Sequence, residues 1–217
     1  MTPPLLFDLD GTLVDSRAVV HRHWRAFCER NGLDFAAVLG VLHGVRSVDT
    51  IRAVAPHLDA PAEAVRIDAG EEVDTEGLAL VAGADRVLLG LRAGGWGIVT
   101  SGHRALAERR LRAVGLPIPA VMVCGDEIVR GKPDPEGFLA GARLLGVAPE
   151  TCVAFEDAPA GVLAATAAGM PVVGITTTSS APALAGATVV IADLTEFDAA
   201  LAGVARAASG GPASARR

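Results

Sequence analysis

The chain has 217 residues, 51% of them hydrophobic and 20% charged, with a formal net charge of −6. That balance excludes an intrinsically disordered chain and suits one α/β domain or a core with a small insertion. The negative charge and the lack of a basic stripe argue against a nucleic-acid partner. No run of about 20 apolar residues predicts a membrane span, and no signal-type segment precedes the first strand, so a cytoplasmic protein is expected.

In chain order, Leu5-Leu6-Phe7-Asp8-Leu9 reads as a short apolar strand broken only by Asp8. A carboxylate in such a run is costly to bury unless something pairs with it. Asp8 and Asp10 are two residues apart, so an extended chain points both to one side, and Gly11 lets the chain turn. Two carboxylates that close either raise one pKa or recruit a cation. Mg²⁺, which takes oxygen ligands and shares them with phosphate, is the expected cation.

Residues 17–31 predict a helix with Ser16 as N-cap, an apolar face of Val19, Val20, Trp24, Ala26 and Phe27, and a stop at Asn31-Gly32. Residues 36–56 and 60–74 predict short helical segments divided by Gly40, Gly44, Pro56 and Pro61. Val81-Ala82-Gly83-Ala84 returns the chain to the core, and a helix runs on to 92 or 93. Strands are expected at 96–100, 121–124, 151–155, 171–175 and 189–191, and helices at about 104–114, 136–146, 159–169 and 195–207. This alternation predicts an α/β fold, a Rossmann-like doubly wound parallel sheet. The expected organisation is a core of residues 1–15 and 81–208, a small helical domain at 16–80 inserted after the first strand, and a disordered tail at 209–217. Cys28, Cys124 and Cys152 lack Cys-x-x-Cys spacing, which predicts neither a metal site nor a disulfide framework; Cys124 and Cys152 read as small core residues.

Four segments place polar groups just past an apolar strand or in a loop on that side: Asp8/Asp10, Thr100/Ser101, Lys132 and Glu156/Asp157. In a parallel sheet all strand C-termini share one edge, so these can converge. Lys132, in Arg130-Gly131-Lys132-Pro133-Asp134-Pro135, is the sole lysine among nineteen basic residues. Its compact point charge is chemically distinct from the planar fork of arginine, and an acidic chain that binds an anion needs such a local positive site. Taken alone, Thr100 or Ser101 reads as a helix N-cap, and Glu156-Asp157 as a cap for the helix beginning near Pro159.

The run Leu6-Phe7-Asp8-Leu9-Asp10-Gly11-Thr12-Leu13-Val14-Asp15-Ser16 resembles the first motif of the haloacid dehalogenase (HAD) superfamily, phosphatase branch. The other three segments follow in that family's order, so the resemblance covers the core. It implies a phosphoric monoester hydrolase acting on a small phosphorylated metabolite. Asp8 is then the nucleophile that forms an aspartyl-phosphate, and Asp10 the general acid/base. Thr100 and Lys132 hold the transferred phosphoryl group, with Ser101 and Gly102 assisting. The implied Mg²⁺ ligands are Asp8, Asp10 (through its backbone carbonyl), Asp157, and Glu156 directly or through water.

The insertion resembles the helical C1-type cap of this superfamily. Its segment His43-Gly44-Val45-Arg46-Ser47-Val48-Asp49-Thr50-Ile51 is similar to one in glycerol-phosphate and 2-deoxyglucose-6-phosphate phosphatases, as is Phe155-Glu156-Asp157-Ala158-Pro159-Ala160-Gly161-Val162. That implies a sugar-phosphate or polyol-phosphate substrate, with His43, Arg46 and Asp49 as cap contacts; His21 reads as a surface helix residue. The alternative is a β-phosphoglucomutase-like mutase, in which Arg46 would grip a second phosphate. Against it, the cap has no lysine and the first motif ends Asp-Gly-Thr-Leu. A haloacid dehalogenase proper lacks the second aspartate, and the intact set of motifs opposes a non-catalytic phosphate-binding regulator.

Overall fold

The computed structural model describes residues 2–210. The chain opens with strand β1 (Leu5–Phe7), a tight turn and strand β2 (Val14–Asp15), then helices α1 (Arg17–Asn31), α2 (Phe35–Leu42), α3 (Ser47–Val54) and α4 (Ala60–Val73). Strand β3 (Ala79–Leu80) leads to α5 (Ala84–Gly90), β4 (Trp96–Val99), α6 (Arg104–Ala113), β5 (Val121–Val123) and α7 (Glu136–Leu145). The remainder is β6 (Val153–Glu156), α8 (Pro159–Ala167), β7 (Val172–Ile175), β8 (Val189–Ile191) and α9 (Phe197–Ala208).

Six strands form one sheet in the order β5-β4-β1-β6-β7-β8, with every neighbouring pair parallel. Alternation along β1 explains its two-sided burial. Leu5 and Phe7 pack in one layer with residues of α5, α6 and α9, whereas Leu6 packs in the other with residues of α7 and α8. Phe7 stacks on Phe155 of β6 at 4.8 Å, and Phe155 stacks on Phe197. Burying a side chain of this size stabilises the fold by roughly 1.5–3 kcal/mol, and the stack lies directly beneath Asp8 and Glu156. The sheet is doubly wound, as its sequence pattern predicts.

Helices α1–α4 hold a third apolar cluster of their own, including Trp24, Phe27, Leu42, Ile51 and Ile67. The sequence reading did not foresee the device that joins it to the core. Strands β2 and β3 pair antiparallel, Val14 with Leu80 and Asp15 with Ala79, so the outgoing and returning chains are clipped together. Local details also differ. Ser16 occupies the N-cap of α1 but makes no side-chain capping bond, and Gly40 lies inside α2 rather than dividing two helices. Gly32 ends α1 in the left-handed region, its N–H donating to Cys28 O. The three cysteines are free and buried. No helix among the described residues is long and apolar enough to cross a membrane. The expected tail falls largely on residues 211–217, outside the described residues.

Candidate active site

In the six-stranded sheet β4 and β5 lie on one side of β1, and β6, β7 and β8 on the other. Open α/β sheets bind ligands at such a reversal, outside the strand C-termini. Asp8 lies just past β1, Glu156 ends β6 and Asp157 follows it. Carboxylate oxygens of Asp8, Glu156 and Asp157 all lie within 4.8 Å of one another, and all three residues are buried. Lys132 reaches in from the loop before α7, its Nζ 2.5 Å from Asp8 Oδ1 and 2.5 Å from Glu156 Oε1. Side chains of three of the four segments, Asp8, Lys132 and Glu156 with Asp157, therefore meet at one sheet edge.

The electrostatics call for a cation. Burial pushes the Asp8 carboxyl up; Lys132 opposes that, and Asp10 adds to it. Glu156 is pushed up to about 8, by burial first and then by Asp8, again against Lys132. Asp157 is raised well above its usual range by burial, Asp8 and Glu156. Burial alone would lower the Lys132 pKa, but Asp8 and Glu156 outweigh it and raise it. Two of the three buried carboxylates thus pair with one ammonium, and Glu156 Oε2 is buried without a hydrogen-bond partner. An all-oxygen, carboxylate-rich donor set with an unsatisfied oxygen fits a hard divalent cation such as Mg²⁺.

The backbone makes room for this cluster at two glycines. Gly11 has φ +85°, and a Cβ there would overlap Asp157 Oδ2; a Cβ at Gly161 would overlap the Glu156 carboxylate. Thr12 Oγ1 donates to Asp157 Oδ1 at 3.4 Å, and Thr178 Oγ1 donates to Asp157 Oδ2. Thr178 follows β7 at the same edge as the four motifs, so a polar run just past an apolar strand, Thr176-Thr177-Thr178, was the signal that could have found it.

Asp10 stands apart from the carboxylate cluster. Its Oδ2 lies 2.7 Å from Arg110 Nη1, and Arg110 Nη2 lies 2.6 Å from Glu71 Oε2 of α4. A buried guanidinium of the core therefore bridges Asp10 to the helical insertion. Sequence reasoning missed both Arg110 and Glu71. The available signal was that Arg110 shares the buried face of α6 with Leu106, Ala107 and Leu111. Burial pushes Glu71 up to about 7, with Arg110 opposing and Asp10 and Asp68 adding.

A cavity between core and insertion is lined by Asp8, Asp10, Thr100, Ser101, Gly102 and His43, together with Asp68, Glu71, Arg110 and Trp24. Thr100 Oγ1 accepts from the Gly102 N–H at 3.1 Å, so it caps a turn and not a helix. The cap of α6 is His103, whose Nδ1 accepts from Leu106 N–H. Ser101 Oγ donates to Gly44 O of the insertion at 2.8 Å. His43 is lowered to about 4 by burial, with His21 and Arg17 contributing. Contrary to the surface reading, His21 is half-buried 5.7 Å from the His43 ring, with Nε2 unpartnered.

Arg46 and Asp49 are not brought to the cavity lining. Arg46 Nε donates to Asp49 Oδ2 at 2.6 Å, and its terminal nitrogens donate to the backbone carbonyls of Gly125, Ile128 and Val129 in the core. Asp49 also pairs with Arg52. Arg46 fastens the insertion to the loop after β5.

The family description "haloacid dehalogenase-like hydrolase" matches residues 5–169. Hexitol phosphatase A of Escherichia coli (strain K12) is 43% identical over 184 residues, covering 82% of this chain and 85% of that protein. 2-Deoxyglucose-6-phosphate phosphatase 2 of Saccharomyces cerevisiae is 35% identical over 219 residues, covering 88% of this chain and 87% of that protein. A β-phosphoglucomutase structure from Clostridium difficile superposes with a TM-score of 0.82 over 96% of this chain and 100% of that one; its 20% identity shows a shared fold alone. With a family match across most of its length and relatives this similar, the chain belongs to the haloacid dehalogenase-like hydrolases.

Proposed function

We propose that the chain is a Mg²⁺-dependent phosphatase that hydrolyses a small sugar phosphate or polyol phosphate through an aspartyl-phosphate on Asp8. The observation that carries this reading is the meeting of Asp8, Lys132, Glu156 and Asp157 at the sheet's reversal point, beside a cavity lined by both core and helical insertion. The named substrates of the two relatives, a hexitol phosphate and a deoxyhexose phosphate, support the substrate class.

In this reading Asp8 attacks phosphorus, the phosphorus–oxygen ester bond breaks, and the leaving alkoxide takes a proton from Asp10. A water then gives its proton to Asp10 and attacks phosphorus; the bond to Asp8 breaks and phosphate leaves. Lys132 holds negative charge on the transferring group, with Thr100, Ser101 and Gly102 lining its place. Asp8, Glu156, Asp157 and the Asp10 carbonyl would hold Mg²⁺, which when bound neutralises phosphate charge that Asp8 would otherwise repel. The insertion excludes water and contacts the part of the ester that does not react.

The mutase alternative needs a grip on a second phosphate. Arg46 is engaged with Asp49 and three backbone carbonyls, so this structure does not favour it. The test is phosphate release from a panel of sugar and polyol phosphates, with and without Mg²⁺, with Asp8→Asn as control. Mg²⁺-dependent release that the variant lacks is expected. Conversion of β-glucose 1-phosphate to glucose 6-phosphate without phosphate release would instead establish a mutase.

A further inference from the structure

We propose that Glu71, Arg110 and Asp68 form a hydroxyl-reading subsite that accepts an uncharged polyhydroxylated leaving group and rejects any ester carrying a second anionic group. This rests on the phosphatase reading and narrows its substrate class.

The first support is unmet hydrogen bonding. Glu71 Oε1 and Arg110 Nε are both buried without a partner. The two residues are 5% and 3% exposed and line the cavity. A buried donor or acceptor left unpaired costs roughly 1–3 kcal/mol. The hydroxyls of a polyol can meet such needs, donating to a carboxylate such as Glu71 and accepting from a guanidinium such as Arg110. Asp68 stands on the same helix, one turn from Glu71, and is fixed by Ser47 Oγ donating to its Oδ1 at 2.6 Å.

The second support is the charge around the cavity. Among the described residues that line it, the cations are Arg17 and Arg110, and each is already held by carboxylates. Arg17 pairs with Asp15 at 2.7 Å, and Arg110 pairs with Asp10 and Glu71. His43 stays neutral at ordinary pH because burial holds its pKa down. Arg46 is occupied outside the lining. A second phosphate or a carboxylate on the leaving group would meet Asp68 and Glu71 with no unpaired cation to balance it, most strongly above pH 7, where Glu71, pushed up to about 7 by burial, is ionised. Like charges brought together in this way select against the wrong partner.

The test compares kcat/KM for sorbitol 6-phosphate, fructose 1,6-bisphosphate, phosphoglycolate and p-nitrophenyl phosphate at saturating Mg²⁺. The wild type is expected to prefer sorbitol 6-phosphate over the bisphosphate and phosphoglycolate by roughly a hundredfold or more. In Glu71→Gln and, separately, Asp68→Asn, the ratio of kcat/KM for sorbitol 6-phosphate to that for p-nitrophenyl phosphate should fall about tenfold, mainly through KM. Comparable wild-type rates on the bisphosphate would overturn the proposal. So would equal loss on both esters in both variants, which would make these carboxylates scaffold alone. Failure of the wild type to release phosphate from any ester would instead sink the phosphatase reading itself, and the subsite with it.

Discussion

The ammonium of Lys132 lies 2.5 Å from Asp8 Oδ1, joining two loops that are 124 residues apart in the chain. With Glu156 on its other side, it is the charge that allows three carboxylates to be buried together. Removing one partner of a buried ionic cluster leaves the others uncompensated. Lys132→Met should lower kcat about 10²–10³-fold. Lys132→Arg should fail to restore it, because the broad guanidinium fork does not replace a point charge in so confined a place. Steady-state phosphate release, with circular dichroism to verify folding, checks both.

Gly161 is where α8 passes the Glu156 carboxylate with no room for a methyl group. Gly161→Ala should displace Glu156, weaken Mg²⁺ binding and destabilise the fold by about 1–3 kcal/mol. A Mg²⁺ titration of activity beside a urea melt reads the two effects separately. An unchanged Mg²⁺ midpoint would remove Glu156 from the metal site.

His43 gives a pH dependence of defined sign. Its pKa falls from 6.5 to about 4 on folding, so the folded chain binds fewer protons than the unfolded chain between those values. The stability it contributes is complete above 6.5 and is lost as pH falls toward 4. His43→Gln should remove this component, at most about 3 kcal/mol. The difference between wild-type and variant unfolding free energies, measured from pH 7 to pH 4, isolates it from the buried carboxylates, whose raised values act in the opposite direction.

Arg46 ties the insertion to Gly125, Ile128 and Val129. Arg46→Ala should loosen that contact and lower kcat/KM by roughly tenfold, to the same extent for every ester tested. A loss confined to bisphosphates would restore Arg46 as a phosphate grip and favour the mutase.

The sequence made the core legible because strand ends in a parallel sheet carry a simple rule. Asp8, Thr100, Glu156 and Asp157 each end or follow an apolar run, and each lies at the expected edge. Helix α1 was equally clear, with its apolar spacing and Gly32 stop. Arg110 was not, since an arginine in Arg109-Arg110-Leu111-Arg112 reads as solvated charge until α4 is seen to cover it with Glu71. Arg46 misled for the converse reason: it lies in a segment that resembles the cap of sugar-phosphate phosphatases and so reads as a ligand contact, yet its donors are spent on Asp49 and backbone carbonyls. The β2–β3 clip is two residues per strand, too short for any periodicity to announce it.

Whether Asp8 carries the phosphoryl group in transit can be read by acid-quenching the Asp10→Asn enzyme during turnover and mapping adducts by mass spectrometry. Without Asp10 to activate water, the intermediate should accumulate, and the phosphoryl group should be found on the peptide containing Asp8 and disappear in Asp8→Asn. Steady phosphate release from Asp8→Asn at the wild-type rate, with no adduct on that peptide in any variant, would contradict the account.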